Sequence, residues 1–142
     1  MQGQSSQLVG LAASQLRATG RLRLGVTGSS MLPAILPRDV LLVRACAAER
    51  ARVGDIAVFL RDGRLFSHRV IARSGARLVT RGDALPAADP PVEPHEMLGC
   101  VRRVLRGKRV FRPRRTASQA SAIFARSPFS SRVFQRVAAW AA

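Results

Sequence analysis

Tyrosine is absent from this 142-residue chain, tryptophan occurs once, and aromatic residues make up only 5 %. That scarcity argues against a module that holds single-stranded nucleic acid on stacked rings. Lysine also occurs once, at Lys108, within Arg106-Gly107-Lys108-Arg109. A desolvated lysine can activate a serine, but a lysine in such a basic turn is poorly placed to be a buried neutral amine. There are two cysteines, Cys46 and Cys100, far apart and without metal-ligand spacing. A disulfide between them is one reading; the favoured one is two buried free thiols in a reducing compartment. No run of about 18 apolar residues occurs, so no segment reads as a bilayer-spanning helix. The N-terminus lacks the basic start of a secretory signal. Acidic residues are few: 8 Asp+Glu face 24 Lys+Arg, for a net charge of +16. Arginine-rich coding accounts for part of this. The functional readings are an anionic lipid surface, nucleic acid or an acidic partner.

The length fits one domain with tails, burying roughly 68–70 % of the unfolded chain's surface. Residues 5–17 read as a short helix with an apolar stripe of Leu8, Leu11, Ala12 and Leu16, ended by Gly20. The period then changes to alternation, with Leu22, Leu24 and Val26 on one side and Arg21 and Arg23 on the other. Met31 to Pro37 reads as a bend, and 39–44 and 56–61 as strands. Asp62-Gly63 is a type I′ hairpin signal, leading into a strand over 64–73. Ser74-Gly75 turns the chain back into 77–81, and 97–105 pairs with 110–111. The stretch 84–96 holds four prolines and reads as a loop. The expected fold is therefore mainly β, a compact antiparallel domain over 21–113. It carries an N-terminal helix within 1–20 and a basic, amphipathic tail over 114–142. In that tail Val133, Phe134, Val137 and Trp140 would share one face of a helix.

Four separated residues carry candidate chemistry. Ser30, in Gly28-Ser29-Ser30-Met31-Leu32-Pro33, sits where a strand gives way to a turn. Its hydroxyl would be exposed and its N–H free to face a developing oxyanion, with Met31 turned inward and Pro33 fixing the bend. His68 lies on a strand between Phe66 and Val70, on the face opposite Ser67 and Arg69, and its near-neutral pKa suits a general base. Asp83, after Gly82, and Asp89, before Pro90-Pro91, can each orient an imidazole. Asp39 and Asp55 read as turn-capping residues, and His95, in the proline-rich stretch, as a surface residue.

These blocks, in this order, resemble the signal peptidase I family of serine endopeptidases, in its histidine-using branch. Ser30-Met31-Leu32-Pro33 is similar to the nucleophile block and Gly54-Asp55-Ile56-Ala57-Val58-Phe59 to the strand before the base. His68-Arg69-Val70-Ile71 is similar to the base block, Thr80-Arg81-Gly82-Asp83 with Asp89 to the acidic block, and Leu98-Gly99-Cys100-Val101 to the closing strand. The resemblance covers roughly 22–105. It implies a β scaffold that takes an extended peptide as an added strand and cleaves a leader or signal segment. Ser30 would be the nucleophile, His68 the base, Asp89 the orienting acid and Asp83 a supporting one. Gly28, Ser29 and Met31 would line the substrate and oxyanion side, and no metal or organic cofactor would be needed. The chain departs from the family in having Gly28 two residues before the nucleophile, where a serine often lends a second oxyanion donor. It also has Ala84 after Asp83, where asparagine is frequent, and it lacks the usual membrane anchor.

Three function classes follow. The first is a serine endopeptidase, cytoplasmic or peripheral on the inner membrane face, whose Arg-rich tail reaches an anionic membrane surface. The second is a self-cleaving regulatory domain of the damage-response repressor kind, which shares the scaffold but relies on a serine–lysine pair. The third is a non-catalytic basic module that binds nucleic acid, which the lack of aromatic residues disfavours.

Overall fold

The computed structural model describes residues 2–116. The first element, α1 (Gln2–Thr19), is longer at both ends than the sequence pattern predicts. It stops at Gly20, whose φ of 71° lets its N–H reach back to the Leu16 carbonyl at 2.8 Å. The buried face differs from the expected stripe. Ala13 and Leu16 are buried and Ala12 is half-buried, whereas Leu8 and Leu11 are 67 % and 66 % exposed. The small alanines, rather than the larger leucines, let the helix approach the sheet closely.

Seven strands follow: β1 (Arg21–Gly25), β2 (Val40–Ala45), β3 (Ile56–Arg61), β4 (Arg64–Ser74), β5 (Arg77–Arg81), β6 (Met97–Arg106) and β7 (Arg109–Phe111). They form one antiparallel sheet in the order β1-β2-β6-β3-β4-β5, with β7 pairing the far end of β6. The β3–β4 hairpin turns on Asp62 and Gly63, whose φ values of 51° and 70° are those a type I′ turn requires. The β4–β5 turn sits one residue later than expected, on Gly75-Ala76, because Ser74 pairs with Arg77.

Two apolar clusters hold the sheet. One gathers Leu22, Leu41, Val43, Ile56, Val58, Val101 and Val104 under Ala13 and Leu16 of α1, with Met31 and Ile35 from the bend after β1. The other lies across β3, β4 and β5 and includes Phe59, Val70, Leu78, Val92, Met97 and Cys100. The proline-rich 84–96 stretch is largely a loop, but it covers the outer edge of β5. Leu78 and Val92 exchange backbone hydrogen bonds, and the Asp89 N–H donates to the Thr80 carbonyl at 2.8 Å. This edge cover carries Asp89 up to the sheet. The expected helix over 131–142 lies outside the described residues. Among the described residues, no helix is long and apolar enough to cross a membrane.

Candidate active site

Ser30 stands four residues past the last residue pair of the β1–β2 ladder extension, which Val26 and Asp39 close by backbone hydrogen bond. Gly28 and Ser29, both half-buried, form the link between. Met31 is buried and accepts the Asp83 N–H on its sulfur at 3.4 Å, so the bend is anchored from within. The Ser30 carbonyl accepts the Ala84 N–H at 2.9 Å. Gly82 packs so closely here that a Cβ on it would lie 2.7 Å from that carbonyl oxygen. The N–H of Ser30 donates to no described residue, and the residue is half-buried.

His68 is held on β4 with a side chain only 2 % exposed. The rings of Phe59 and Phe66 meet it edge-on at 6.2 and 5.8 Å between centroids. Its Nε2 lies 3.2 Å from Ser30 Oγ, and its Nδ1 lies 2.6 Å from Asp89 Oδ2. An ionised carboxylate can only accept, so the proton between them sits on Nδ1. In the neutral ring, Nε2 is then left with its lone pair towards the serine hydroxyl. The same Asp89 oxygen accepts the Thr80 hydroxyl at 2.7 Å.

The two aspartates, interchangeable in the sequence, have separate partners in the structure. Asp89 meets the imidazole. Asp83 instead takes both arms of Arg69, at 2.8 Å from Nε and 2.7 Å from Nη2, with the two side chains 4 % and 2 % exposed. Asp83 thus acts on the site through the backbone that links it to Met31 and Ser30, not through the histidine. Arg69 Nη1 also donates to the carbonyls of Gly54 and Arg114, tying the segment after β7 to the turn before β3.

Three contributors were not singled out from the sequence. Thr80 fixes the Asp89 carboxylate. Arg69 neutralises Asp83. Arg61, at the end of β3, forms a bidentate pair with Glu96 and donates to the carbonyls of Pro90 and Pro91, the two residues after Asp89. That last set of contacts staples the Asp89 loop to the sheet. The hydrogen bonds from Arg61, ahead of its charge, hold the Glu96 carboxyl below its ordinary pKa. The only sequence signal for any of these was arginine where an alternating strand would otherwise meet solvent.

Asp39 and Asp55 are structural, as expected. Asp39 caps the bend through the Leu36 N–H and pairs with Arg106, while Asp55 accepts the Arg52 N–H and pairs with Arg115. His95 and Lys108 are exposed. Cys46 and Cys100 are free and buried; burial, with Cys46 close by, pushes the Cys100 thiol far up. Among the described residues no three His, Cys, Asp or Glu side chains cluster as metal ligands would.

A hydroxyl, an imidazole and a carboxylate in hydrogen-bonded sequence can move a proton off the hydroxyl as its oxygen attacks a carbonyl. No protein-family model matches the chain, and no curated protein does.

Proposed function

We propose that this protein is a serine endopeptidase of the signal-peptidase type, which removes a leader or signal segment from a peptide or protein. The observation that carries the reading is the hydrogen-bonded run Ser30 Oγ–His68–Asp89, assembled from three elements and open at the serine end. The order of motifs around it supports the same class, as does the antiparallel β scaffold.

In this mechanism Asp89 holds the Nδ1–H tautomer of His68. Nε2 accepts the Ser30 proton as Oγ attacks the scissile carbonyl. The Ser30 N–H faces the oxygen on which charge develops, a contact that gains strength only as the tetrahedral species forms. The imidazolium then protonates the leaving amine, and a water activated by the same nitrogen releases the acyl-enzyme. Gly28 offers no side-chain donor, so a second oxyanion contact would come from the backbone of the 26–29 link. Substrate would run alongside that link as an added strand. Two reduced, buried thiols suit action in a reducing compartment.

The test is incubation of leader peptides with the wild type, Ser30→Ala and His68→Ala, with products read by mass spectrometry. Each substitution is expected to lower kcat by several orders of magnitude, on the order of 10⁴ or more. Cleavage by Ser30→Ala at the wild-type rate would remove the serine from the chemistry.

A further inference from the structure

The face of the sheet that carries His68 extends well beyond the candidate site, since Arg21, Arg44, Cys100, Ala57 and His68 form one row of paired residues across β1, β2, β6, β3 and β4. Along β1, β2 and β6 the side chains that point away from α1 line up in rows across the strands, since directly paired residues share a face. Arg21 pairs with Arg44, and Arg23 pairs with Leu42, which pairs with Arg103. All four arginines are exposed, and none makes a salt bridge among the described residues. The strands β1, β2, β6 and β7 contain no Asp or Glu at all. The next row is apolar: Gly25 pairs with Val40, Val40 with Leu105 and Leu105 with Val110, which is 48 % exposed.

Four like charges on one face, two of them directly paired as Arg21 and Arg44, repel and gain nothing from the fold. They add their fields towards any anionic surface. We infer that this face docks on an anionic lipid bilayer, with the guanidinium groups on headgroup phosphates and the Val40–Leu105–Val110 row at the acyl boundary. The apolar row distinguishes this occupant from nucleic acid. A duplex backbone offers aliphatic side chains nothing, and none of the rows carries a ring for a base to stack on. Charge also excludes the chain's own residues 117–142, which contain arginines and no acid, and a second copy of the same face. Ser30 follows Gly25 by five residues, so the docked face is continuous with the strand that leads into the candidate site.

The inference does not depend on peptidase activity, and the test separates the two. The full chain is mixed with vesicles of neutral lipid, or with vesicles containing about 30 % phosphatidylglycerol, at low and high salt, and bound protein is measured by flotation. Binding to the anionic vesicles alone, weakened by salt, is expected for the wild type and equally for Ser30→Ala. The combined variant Arg21→Gln, Arg23→Gln, Arg44→Gln and Arg103→Gln should bind at least about a hundredfold more weakly, near fivefold per arginine. Its melting temperature should be unchanged or higher, because only repulsion is removed. Val110→Ser, at an exposed position that cannot threaten the core, should lose up to about tenfold. Replacing Arg126, Arg132 and Arg136 with glutamine should leave the dependence on the sheet arginines intact. Wild-type binding by the combined variant, or equal binding to neutral vesicles, overturns the inference. So does a duplex DNA whose binding depends on these four arginines while vesicle binding does not.

Discussion

Asp83 and Asp89 lie six residues apart in one loop, yet their removal should have opposite signatures. Asp83 is 2 % exposed and holds both arms of a guanidinium that is 4 % exposed. Replacing it with asparagine keeps the volume but leaves the Arg69 charge buried without its partner. Breaking such a pair costs about 3–5 kcal/mol, a large share of a total stability of roughly 5–15 kcal/mol. For a domain of this size 1 kcal/mol shifts the melting temperature by about 4 °C, so Asp83→Asn should melt about 12–20 °C below the wild type. The double variant Arg69→Met, Asp83→Leu removes both charges and should recover much of that loss. Its recovery stays incomplete because the carbonyls of Gly54 and Arg114 lose their donor. Asp89→Asn is the converse case. One oxygen, Oδ2, now takes both Nδ1–H and the Thr80 hydroxyl; the amide can also turn its NH2 to that position and carries no charge, so the imidazole loses its fixed tautomer and its counter-charge while little buried charge is stranded. Ser30 reactivity should fall by about 10³–10⁴, with a stability change of about 1 kcal/mol or less. Thermal melts give the first quantity, and the rate of Ser30 labelling by a fluorophosphonate gives the second without requiring the natural substrate. The reasoning fails if Asp83→Asn melts within about 4 °C of the wild type, or if Asp89→Asn is labelled as fast as the wild type.

Gly82→Ala must displace the Ser30 carbonyl, because the new Cβ would lie 2.7 Å from it and 2.8 Å from Leu85 Cδ1. Labelling of Ser30 should fall at least tenfold, whereas Gly75→Ala, which meets open space on a distant turn, should leave it unchanged. Arg61→Gln removes the staple on Pro90 and Pro91. It should speed amide exchange across 86–93 and slow labelling, and unchanged exchange there would show that the loop is held otherwise. Acid stability follows from Glu96 and Asp39, each held below its ordinary pKa of 4.5 and 3.8 first by the hydrogen bonds of its arginine. Their stabilisation is present above those values and is lost as pH falls through the lower folded values. Melting temperature should therefore drop on the acid side of about pH 4.5, less steeply in Glu96→Gln, with the Asp39 component persisting in that variant.

Local chemistry was legible in the sequence wherever one residue's surroundings are set by its neighbours along the chain. Strand alternation placed Leu22 inward and Arg21 and Arg23 outward, and Asp62-Gly63 named its own turn. Ser30, His68 and an aspartate of the 83–89 stretch could be nominated as partners because each sits in a distinctive local setting. The helix face could not be read so simply. A count of hydrophobicity favours Leu8 and Leu11, but the depth at which α1 seats on the sheet depends on side-chain size, and Ala12 and Ala13 win. The residues' own surroundings left the choice between Asp83 and Asp89 open, because it depends on which residue lies across the sheet from each; only the family resemblance named Asp89. Arg69 precedes Asp83 by 14 residues and Arg61 precedes Glu96 by 35. Nothing in the local pattern marks Arg69 as buried or Arg61 as the partner of Glu96.

The same distinction explains how an arginine-rich chain can use its few acids. Six of the eight carboxylates take an arginine or histidine partner. Two of those pairs, Asp39–Arg106 and Asp55–Arg115, join segments 67 and 60 residues apart, and Asp83–Arg69 joins β4 to the loop beside Ser30. The acids are thereby committed to holding the bend, the turn before β3 and the loop beside Ser30. None remains on β1, β2, β6 or β7, so those strands keep an uncompensated positive face. Net charge read from composition spreads over the whole surface; the fold concentrates it. Neutralisation around the candidate site and concentration of charge farther along the same face of the sheet are consequences of one placement of eight acidic residues.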